Sequence, residues 1–355
     1  VRGVAKQLIS NSTAAESDQT TDTAGYVSAF NSDGFSATQG TVNNSNWNEN
    51  STTYANWLWK AGGTNKYTSN NLLTVTDVGS WAGAAQITAN TNTAPDGTTT
   101  ADTVTDSSTS LYENKVSANV PLTQNRRLCA SMYILKDAVG SATRYPALRI
   151  TTSTGYYADT YVNTSTGAFT SSGNLSGITG GVVDAGSYWL VYVSAYDPAA
   201  GVTWGRIDLF PAIGANASLG SGIAATVTGS VVAWGAKLEY DASIASQVSA
   251  NVTAGFSIVT YTGTRSAAGV DTVGHGLGRA PGLIISKSRN VQGGDNGQWV
   301  VRHTHLTTAN HYLRLNTTDS QVDSSANGSM AAPTTSVFSA NWTSGMNDVG
   351  DNYIA

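Results

Sequence analysis

One short segment of the chain carries the residue types that bind sugars, at a spacing that brings them together. In residues 203–210, Trp204, Arg206 and Asp208 occur at every second position, with Ile207 and Leu209 between them. Side chains of a β-strand alternate between its two faces, so the first three share one face and the two apolar residues share the other. A pyranose stacks its apolar face on an aromatic ring and hydrogen-bonds to charged neighbours. The pattern predicts a glycan-binding face; a packed layer between sheets, or an interface, is the alternative interpretation.

Three tyrosines extend this hypothesis. Tyr156, Tyr157 and Tyr161 lie in a second strand-like segment, and we expect them to line a strand near the first one. Rings of this kind add stacking surface. The glycan-binding prediction therefore covers six side chains on two strands.

A second chemical motif is the pair His303 and His305. Two histidines at positions i and i+2 of a strand point the same way and can share a metal ion. Two ligands per chain are too few for a metal site, so symmetry would have to supply the others. We therefore predict that any metal lies between chains, and the alternative is a solvated polar pair. No other cofactor is expected.

Catalytic motifs are scarce. The Gly-x-Ser-x-Gly turn of hydrolases does not occur, and glutamate is found only at Glu16, Glu49, Glu113 and Glu239. A glycoside hydrolase needs two closely spaced carboxyl groups, and the sequence does not show that any two meet that condition. The prediction is that the protein is not an enzyme, with a polysaccharide depolymerase as an alternative.

Composition indicates an all-β protein. Only 12% of the 355 residues are charged, whereas 37 are glycine and 25 are Trp or Tyr (9 and 16). This is typical of short twisted strands joined by many turns, with enough apolar residues to form cores. The net charge of -5 and the scattered basic residues argue against nucleic acid as a partner. No long apolar run is present, so membrane insertion is not expected.

The beginning and the end of the chain repeat one pattern. Residues 6–13 align with residues 311–318, and later positions align at a similar offset. We therefore predict a partial β-rich module at 1–62, a central domain at 66–249 and a second copy of the module at 252–355. The second copy stops before a counterpart of Trp57 and Trp59, so we expect an unpaired strand edge near Tyr353 and Ile354. Such edges recruit other strands, and these four residues are candidates for assembly of the chain with itself.

The central domain contains two long sequence motifs, Ala-Pro-Asp-Gly-Thr-Thr-Thr-Ala-Asp at 94–102 and Trp-Gly-Ala-Lys-Leu-Glu at 234–239. This order of features resembles the carbohydrate-binding-like jelly-roll modules of phage tail fibres and other virion-associated proteins. The last module, from Ala254 to Ala355, is similar to an uncharacterised β-rich repeat of phage fibres. The resemblance implies two antiparallel sheets packed as a sandwich. Trimeric phage fibres also use His-x-His pairs as rings around a metal ion.

These observations predict an all-β fold in which a central antiparallel jelly-roll sandwich is flanked by smaller β-rich modules. The expected function is that of a non-enzymatic structural protein of a phage fibre or appendage, virion-attached or extracellular. Its expected partners are other copies of itself and a surface or environmental polysaccharide. The alternative of a different class is a self-assembling extracellular filament subunit without a receptor role.

Overall fold

Alternating polar and apolar residues and frequent turn residues produce a fold built from strands. The computed structural model of the chain describes residues 6–18, 23, 25–31, 33–41, 53–54, 56, 71–138, 145–214, 227–290, 297–342 and 344–355. No α-helix occurs in these ranges, and the neighbouring strands of every sheet are antiparallel. The predicted all-β fold is therefore confirmed. A helix with the length and hydropathy needed to cross a membrane is also absent from the described residues.

The described residues of the N-terminal part form two hairpins. The strands are β1 (Lys6–Gln7), β2 (Ser17–Asp18), β3 (Gly25–Phe30) and β4 (Phe35–Gln39). β1 pairs with β2, and β3 pairs with β4. Trp57 and Trp59, two of the candidate assembly residues, lie outside the described residues.

The central part contains twelve strands in the described residues. They are β5 (Gln86–Asn92), β6 (Ala101–Asp106), β7 (Lys115–Val116), β8 (Val120–Pro121), β9 (Arg127–Leu135), β10 (Ala147–Thr152), β11 (Tyr157–Val162), β12 (Phe169–Gly173), β13 (Ser176–Ala185), β14 (Tyr188–Tyr196), β15 (Trp204–Phe210) and β16 (Gly229–Tyr240). The front sheet has the order β12-β11-β10-β15-β7, with β8 also paired to β15. The back sheet has the order β13-β14-β9-β16-β6-β5.

The front and back sheets enclose one apolar core, which confirms the predicted sandwich. Its centre consists of side chains from both sheets: Leu148, Ile150, Ile207 and Leu209 from the front, and Met132, Ile134, Val191 and Val193 from the back. Each is almost fully removed from water, and burial of a side chain of this size stabilises the fold by about 1.5–3 kcal/mol.

The described residues of the C-terminal part add nine strands. They are β17 (Ser246–Asn251), β18 (Phe256–Thr262), β19 (Val270–Gly274), β20 (Leu283–Ser288), β21 (Trp299–His303), β22 (His311–Arg314), β23 (Val322–Asp323), β24 (Val337–Asn341) and β25 (Asn352–Ile354). Seven of them form the C-terminal sheet in the order β17-β18-β25-β20-β21-β22-β23, and β19 pairs with β24. Because β17 pairs with β18, the chain passes from the sandwich to the C-terminal sheet within residues 241–245.

The sequence repeat has a structural counterpart in one pair of hairpins. Lys6 pairs with Asp18 in the first hairpin, and His311 pairs with Asp323 in the second, with the same separation between partners. The later part of the repeat differs, because β4 pairs with β3 whereas β24 pairs with β19. In the described residues, the two copies therefore share this hairpin and its register, whereas the partner of the later strand differs.

The prediction of an unpaired strand edge at Tyr353 and Ile354 is wrong. β25 lies inside the C-terminal sheet, where Ile354 pairs with Thr260 on one side and with Lys287 on the other. Both neighbouring strands satisfy its backbone, and Tyr353 is fully buried. These two residues are core elements of the sheet, so they present no edge for another chain.

Candidate functional site

The candidate site is the outer face of the front sheet, and β15 places the predicted sugar-binding residues there. Ile207 and Leu209 are fully buried in the sandwich core. Alternation along the strand turns Trp204, Arg206 and Asp208 to the opposite face. The arrangement on one face thus agrees with the sequence pattern.

A residue that sequence analysis missed, Arg149, lies at the centre of this face. It belongs to β10, which pairs with β15 on one side and with β11 on the other. Arg149 is opposite Asp208 in the first pairing and opposite Asp159 in the second. A row of carboxylate, guanidinium and carboxylate therefore crosses three strands. The alternation of β10 could have placed Arg149 on an outer face, but only the strand order shows which residues flank it.

Two ion pairs fix the charged side chains of this row. Arg149 donates from Nε and Nη2 to the two carboxylate oxygens of Asp159, at 2.6 and 3.0 Å. Arg206 donates from Nε to Asp208 Oδ1 at 2.8 Å, and the Thr151 hydroxyl donates to Oδ2 at 2.8 Å. Such bidentate and charge-assisted contacts hold the side chains in one geometry. The two cations balance the two anions, so the face is nearly neutral.

Burial dominates the electrostatics of Asp159. Its side chain is fully buried, and burial raises the pKa of Asp159 to about 6, although the bond with Arg149 opposes that effect. At neutral pH both members of the pair are charged.

Aromatic rings flank the two arginines. The Arg149 guanidinium carbon is 4.2 Å from the ring centroid of Tyr157 and 4.9 Å from that of Phe210. The Arg206 guanidinium carbon is 5.5 Å from the ring centroid of Trp204. Each distance is within the range of a cation–π interaction. The face is therefore a continuous band of rings and guanidinium groups.

One end of this band is covered and the other is open. Phe210 packs with Ala147 and Ile213 in a small apolar cluster, and Tyr145 and Tyr161 pack against it. Tyr161 is consequently a packing residue of the covered end.

At the open end, Trp204, Arg206 and Tyr157 remain partly accessible to solvent. Tyr156 precedes β11, with 39% of its surface exposed, and lies beyond the strand on which we placed it. The structure thus places Trp204, Arg206, Asp208 and Tyr157 on the same face as Arg149, and it leaves Tyr156 and Tyr161 at the periphery.

The two candidate metal-binding histidines lie on the C-terminal sheet. His303 ends β21, whereas His305 lies in the following turn, so the expectation that both belong to a strand is wrong. The chain turns there because the backbone N–H of His305 donates to Nδ1 of His303 at 3.1 Å. The ring centroids are nevertheless 5.1 Å apart. In the part of the chain that the structure describes, no group of three or more His, Cys, Asp or Glu side chains could hold a metal ion.

Comparison with known proteins adds a family but no activity. A search of curated proteins found no match. One family model, described as a domain of unknown function, DUF7483, matches residues 1–195 and 214–355. The match covers more than half of the chain, so the chain belongs to the DUF7483 family. Residues 196–213, which contain β15 of the candidate site, lie outside the match.

Proposed function

We propose that the protein is a non-enzymatic structural protein that binds glycan through the outer face of its front sheet. The observation that carries this proposal is the open end of that face. There the partly exposed Trp204 ring lies beside Arg206, whose guanidinium is fixed by Asp208. A pyranose stacked on Trp204 would place its hydroxyl groups beside this charged pair.

The fixed geometry of the face supports a binding role. Arg206, Asp208 and Thr151 are already hydrogen-bonded to one another, so little side-chain freedom is lost when a ligand binds. Stacking on one ring contributes about 1 kcal/mol, which implies weak binding at a single site. Several copies acting together would raise the avidity.

A catalytic role for Asp159 is the alternative function of this face. Asp159 has a pKa raised to about 6, which is the property required of a general acid near neutral pH. Both of its oxygens, however, accept hydrogen bonds from Arg149, and its side chain is fully buried. A substrate could not contact Asp159 without breaking the ion pair, so binding is favoured over hydrolysis.

We further propose that the protein belongs to a phage fibre or a related extracellular appendage and associates with copies of itself. The resemblance of the two motifs of the central domain, and of the last module, to fibre proteins supports this proposal. Exposed apolar side chains on β20, Leu283 and Ile285, offer surface for such contacts. Light scattering on the purified chain tests this part: a stable monomer at high concentration would contradict it.

The glycan-binding proposal is tested with the whole chain displayed on beads and applied to a glycan array. We expect selective signal from a subset of surface polysaccharides. Trp204→Ala should lower the affinity for the best glycan about fivefold at a single site, because one stacking contact of about 1 kcal/mol is lost. On the multivalent beads this loss should abolish the signal.

A matched control is Phe169→Ala. Phe169 is an exposed ring on the same sheet, with 48% of its surface accessible. Its cross-strand partner Val162 faces the sandwich core, and paired residues share a face, so Phe169 lies on the face opposite to Trp204. This variant should bind like the original protein. Equal binding by the Trp204 variant, or no signal on any glycan, would reject the proposal.

A further inference from the structure

The C-terminal part of the chain contains a cavity, on a different sheet from the glycan-binding face. It lies between the start of β20, the end of β21 and the turn that leads to β22. Its volume is about 300 Å³. The lining includes Gly282, Leu306 and Pro333, together with the ionisable residues described next. This volume is at the lower end of the range for small-molecule sites.

The cavity is lined by a buried arginine that has no carboxylate partner among the described residues. Arg302 is only 4% exposed. Its Nη1 donates to the carbonyl of Ser339 at 2.9 Å, and its Nη2 donates to the carbonyls of Ala309 and Ala331 at 2.8 and 3.1 Å. A guanidinium has five N–H donors, so the Nε–H and one Nη1–H are not used by these three bonds. The carbonyls orient the group but leave its positive charge uncompensated.

The charge of Arg302 persists at neutral pH. Burial lowers the pKa of Arg302 to about 10, which is still well above 7. A buried cation without a counter-ion is unfavourable, and proteins normally pair such groups. A bound anion would supply the missing charge.

The other ionisable groups that line the cavity are also bases. They are His303 and His311, and none of the described residues of the lining is acidic. His303 Nδ1 accepts the N–H of His305, so the neutral ring carries its proton on Nε2 and can donate from there. The Thr304 and Thr307 hydroxyls add further donors, whereas the Thr308 hydroxyl is hydrogen-bonded to His311 Nδ1 at 2.9 Å. Asp323 is the cross-strand partner of His311, and it does not line the cavity.

We infer that this cavity binds an oxyanion carried by a small hydroxylated molecule, such as the carboxylate of an acidic sugar. The oxyanion accepts hydrogen bonds from the arginine, and the histidine and threonine side chains of the lining contact the polar remainder of the ligand. Carboxylate, sulfate and phosphate share the chemistry that this site recognises. The site is separate from the glycan-binding face of the front sheet, and each stands without the other.

Isothermal titration calorimetry with the full-length chain tests the inference in a buffer of low ionic strength without phosphate. Galacturonate should bind with a dissociation constant in the millimolar range, whereas galactose, its match without the carboxylate, should not bind at this site. Separate titrations with sulfate and with phosphate show whether the site prefers a carboxylate or accepts any oxyanion. Equal heats for galacturonate and galactose, or no binding of any of the three anions, would overturn the inference.

Two variants locate the binding within the cavity without removing Arg302, which also holds three carbonyls. Leu306→Trp fills the cavity and should abolish anion binding, and His303→Gln should weaken it severalfold. His305→Gln is the matched control, because His305 is adjacent to His303 but does not line the cavity. Circular dichroism and thermal unfolding verify that each variant is folded. Undiminished binding by a folded Leu306→Trp variant would place the anion elsewhere and reject the site.

Discussion

At the scale of single residues, Asp271 is an acid of the C-terminal part whose carboxylate accepts five side-chain hydrogen bonds. Arg265 donates two hydrogen bonds to its carboxylate, at 2.6 and 2.7 Å. Thr264, Ser243 and Asn347 donate three more, at 2.8, 3.0 and 2.9 Å. Asp271 itself is only 4% exposed. This carboxylate therefore connects the segment before β17, the start of β19 and the loop before β25.

These bonds give a prediction about stability and pH. Burial alone would raise the pKa of Asp271, but the hydrogen bonds from Arg265, Asn347 and Thr264 outweigh it and hold the pKa below its usual value. A lowered folded-state pKa means that the ionised carboxylate stabilises the fold above about pH 4. That contribution is lost as the pH falls through the folded-state pKa.

Asp271→Asn should therefore lower the free energy of unfolding at pH 7 by about 2 kcal/mol, less than for a fully buried ion pair because Arg265 is partly exposed. Its stability should also fall less steeply below pH 4 than that of the original chain. Urea unfolding at several pH values measures both effects. Asp319→Asn is the control, since Asp319 is half exposed in its pair with Arg314 and should change stability by less than about 1 kcal/mol. Similar losses in the two variants would contradict the argument.

At the scale of strands, the sequence was sufficient to predict which face of a strand a side chain occupies, but not which strands pair with each other. The alternation of β15 correctly separated Arg206 from Ile207. Arg149 was missed because its importance comes from the pairing of β10 with both β11 and β15, and strand order depends on contacts between distant parts of the chain. The covered position of Tyr161 depends likewise on Phe210, a residue 49 positions away in sequence (210 minus 161).

The residues at which strands end also could not be predicted from the sequence pattern. A His-Thr-His segment fits a strand by alternation, but the bond from the His305 N–H to His303 Nδ1 forms a turn. Similarly, the position of β25 in the middle of the C-terminal sheet could not be inferred from the order of elements. β25 is the last strand in sequence, yet it lies between β18 and β20.

The central position of β25 leads to a prediction. The Tyr353 ring is stacked on Tyr261, with centroids 5.1 Å apart, and its hydroxyl oxygen accepts the backbone N–H of Asp348 at 3.0 Å. Tyr353→Ala should lower the free energy of unfolding by about 3–5 kcal/mol, because a large buried ring leaves a cavity. Tyr353→Phe removes only the hydroxyl and should cost about 1 kcal/mol.

Chemical unfolding measures both changes, and light scattering separates them from an effect on assembly. If Tyr353 were instead an interface residue, the alanine variant would keep its unfolding free energy and lose only its ability to associate. A neighbouring control is Ile354→Ala, since Ile354 is partly exposed and should lose less stability than Tyr353.

At the scale of the whole molecule, the central strands β9 and β14 of the back sheet are buried on both faces. Met132 on β9 faces the sandwich core, whereas Tyr133 faces a second core that it shares with Val248 and Val259 of the C-terminal sheet. This explains why β9 and β14 are apolar almost without interruption. The sandwich and the C-terminal sheet therefore share apolar packing.

Hydrogen bonds reinforce this junction. The N–H of Asp241 donates to the carbonyl of Arg127 in the sandwich, and the N–H of Ser243 donates to the carbonyl of Thr272 on β19. The connecting segment is thus bonded on both sides. The N-terminal segment also packs on the C-terminal sheet, where Glu16 forms an ion pair with Arg289 at 3.1 Å. We infer that the sandwich, the C-terminal sheet and residues 6–18 unfold together.

A buried ion pair at the junction allows that inference to be tested. Lys237 on β16 lies 2.9 Å from Glu239, and both side chains are at most 5% exposed. Lys237 also donates to the carbonyl of Ser246 on β17, at 3.2 Å. Lys237→Met removes the cation from beside a buried carboxylate, so it should destabilise the chain by about 3–5 kcal/mol.

The shared core predicts how this loss is distributed. Differential scanning calorimetry should show one transition, shifted as a whole to lower temperature, because the sandwich cannot remain folded with its back sheet exposed. The double variant Lys237→Met with Glu239→Leu should recover most of the stability, since replacing both charges by apolar groups removes the uncompensated anion. Two separate transitions, of which only one shifts, would show that the sandwich and the C-terminal sheet fold independently despite their common apolar core.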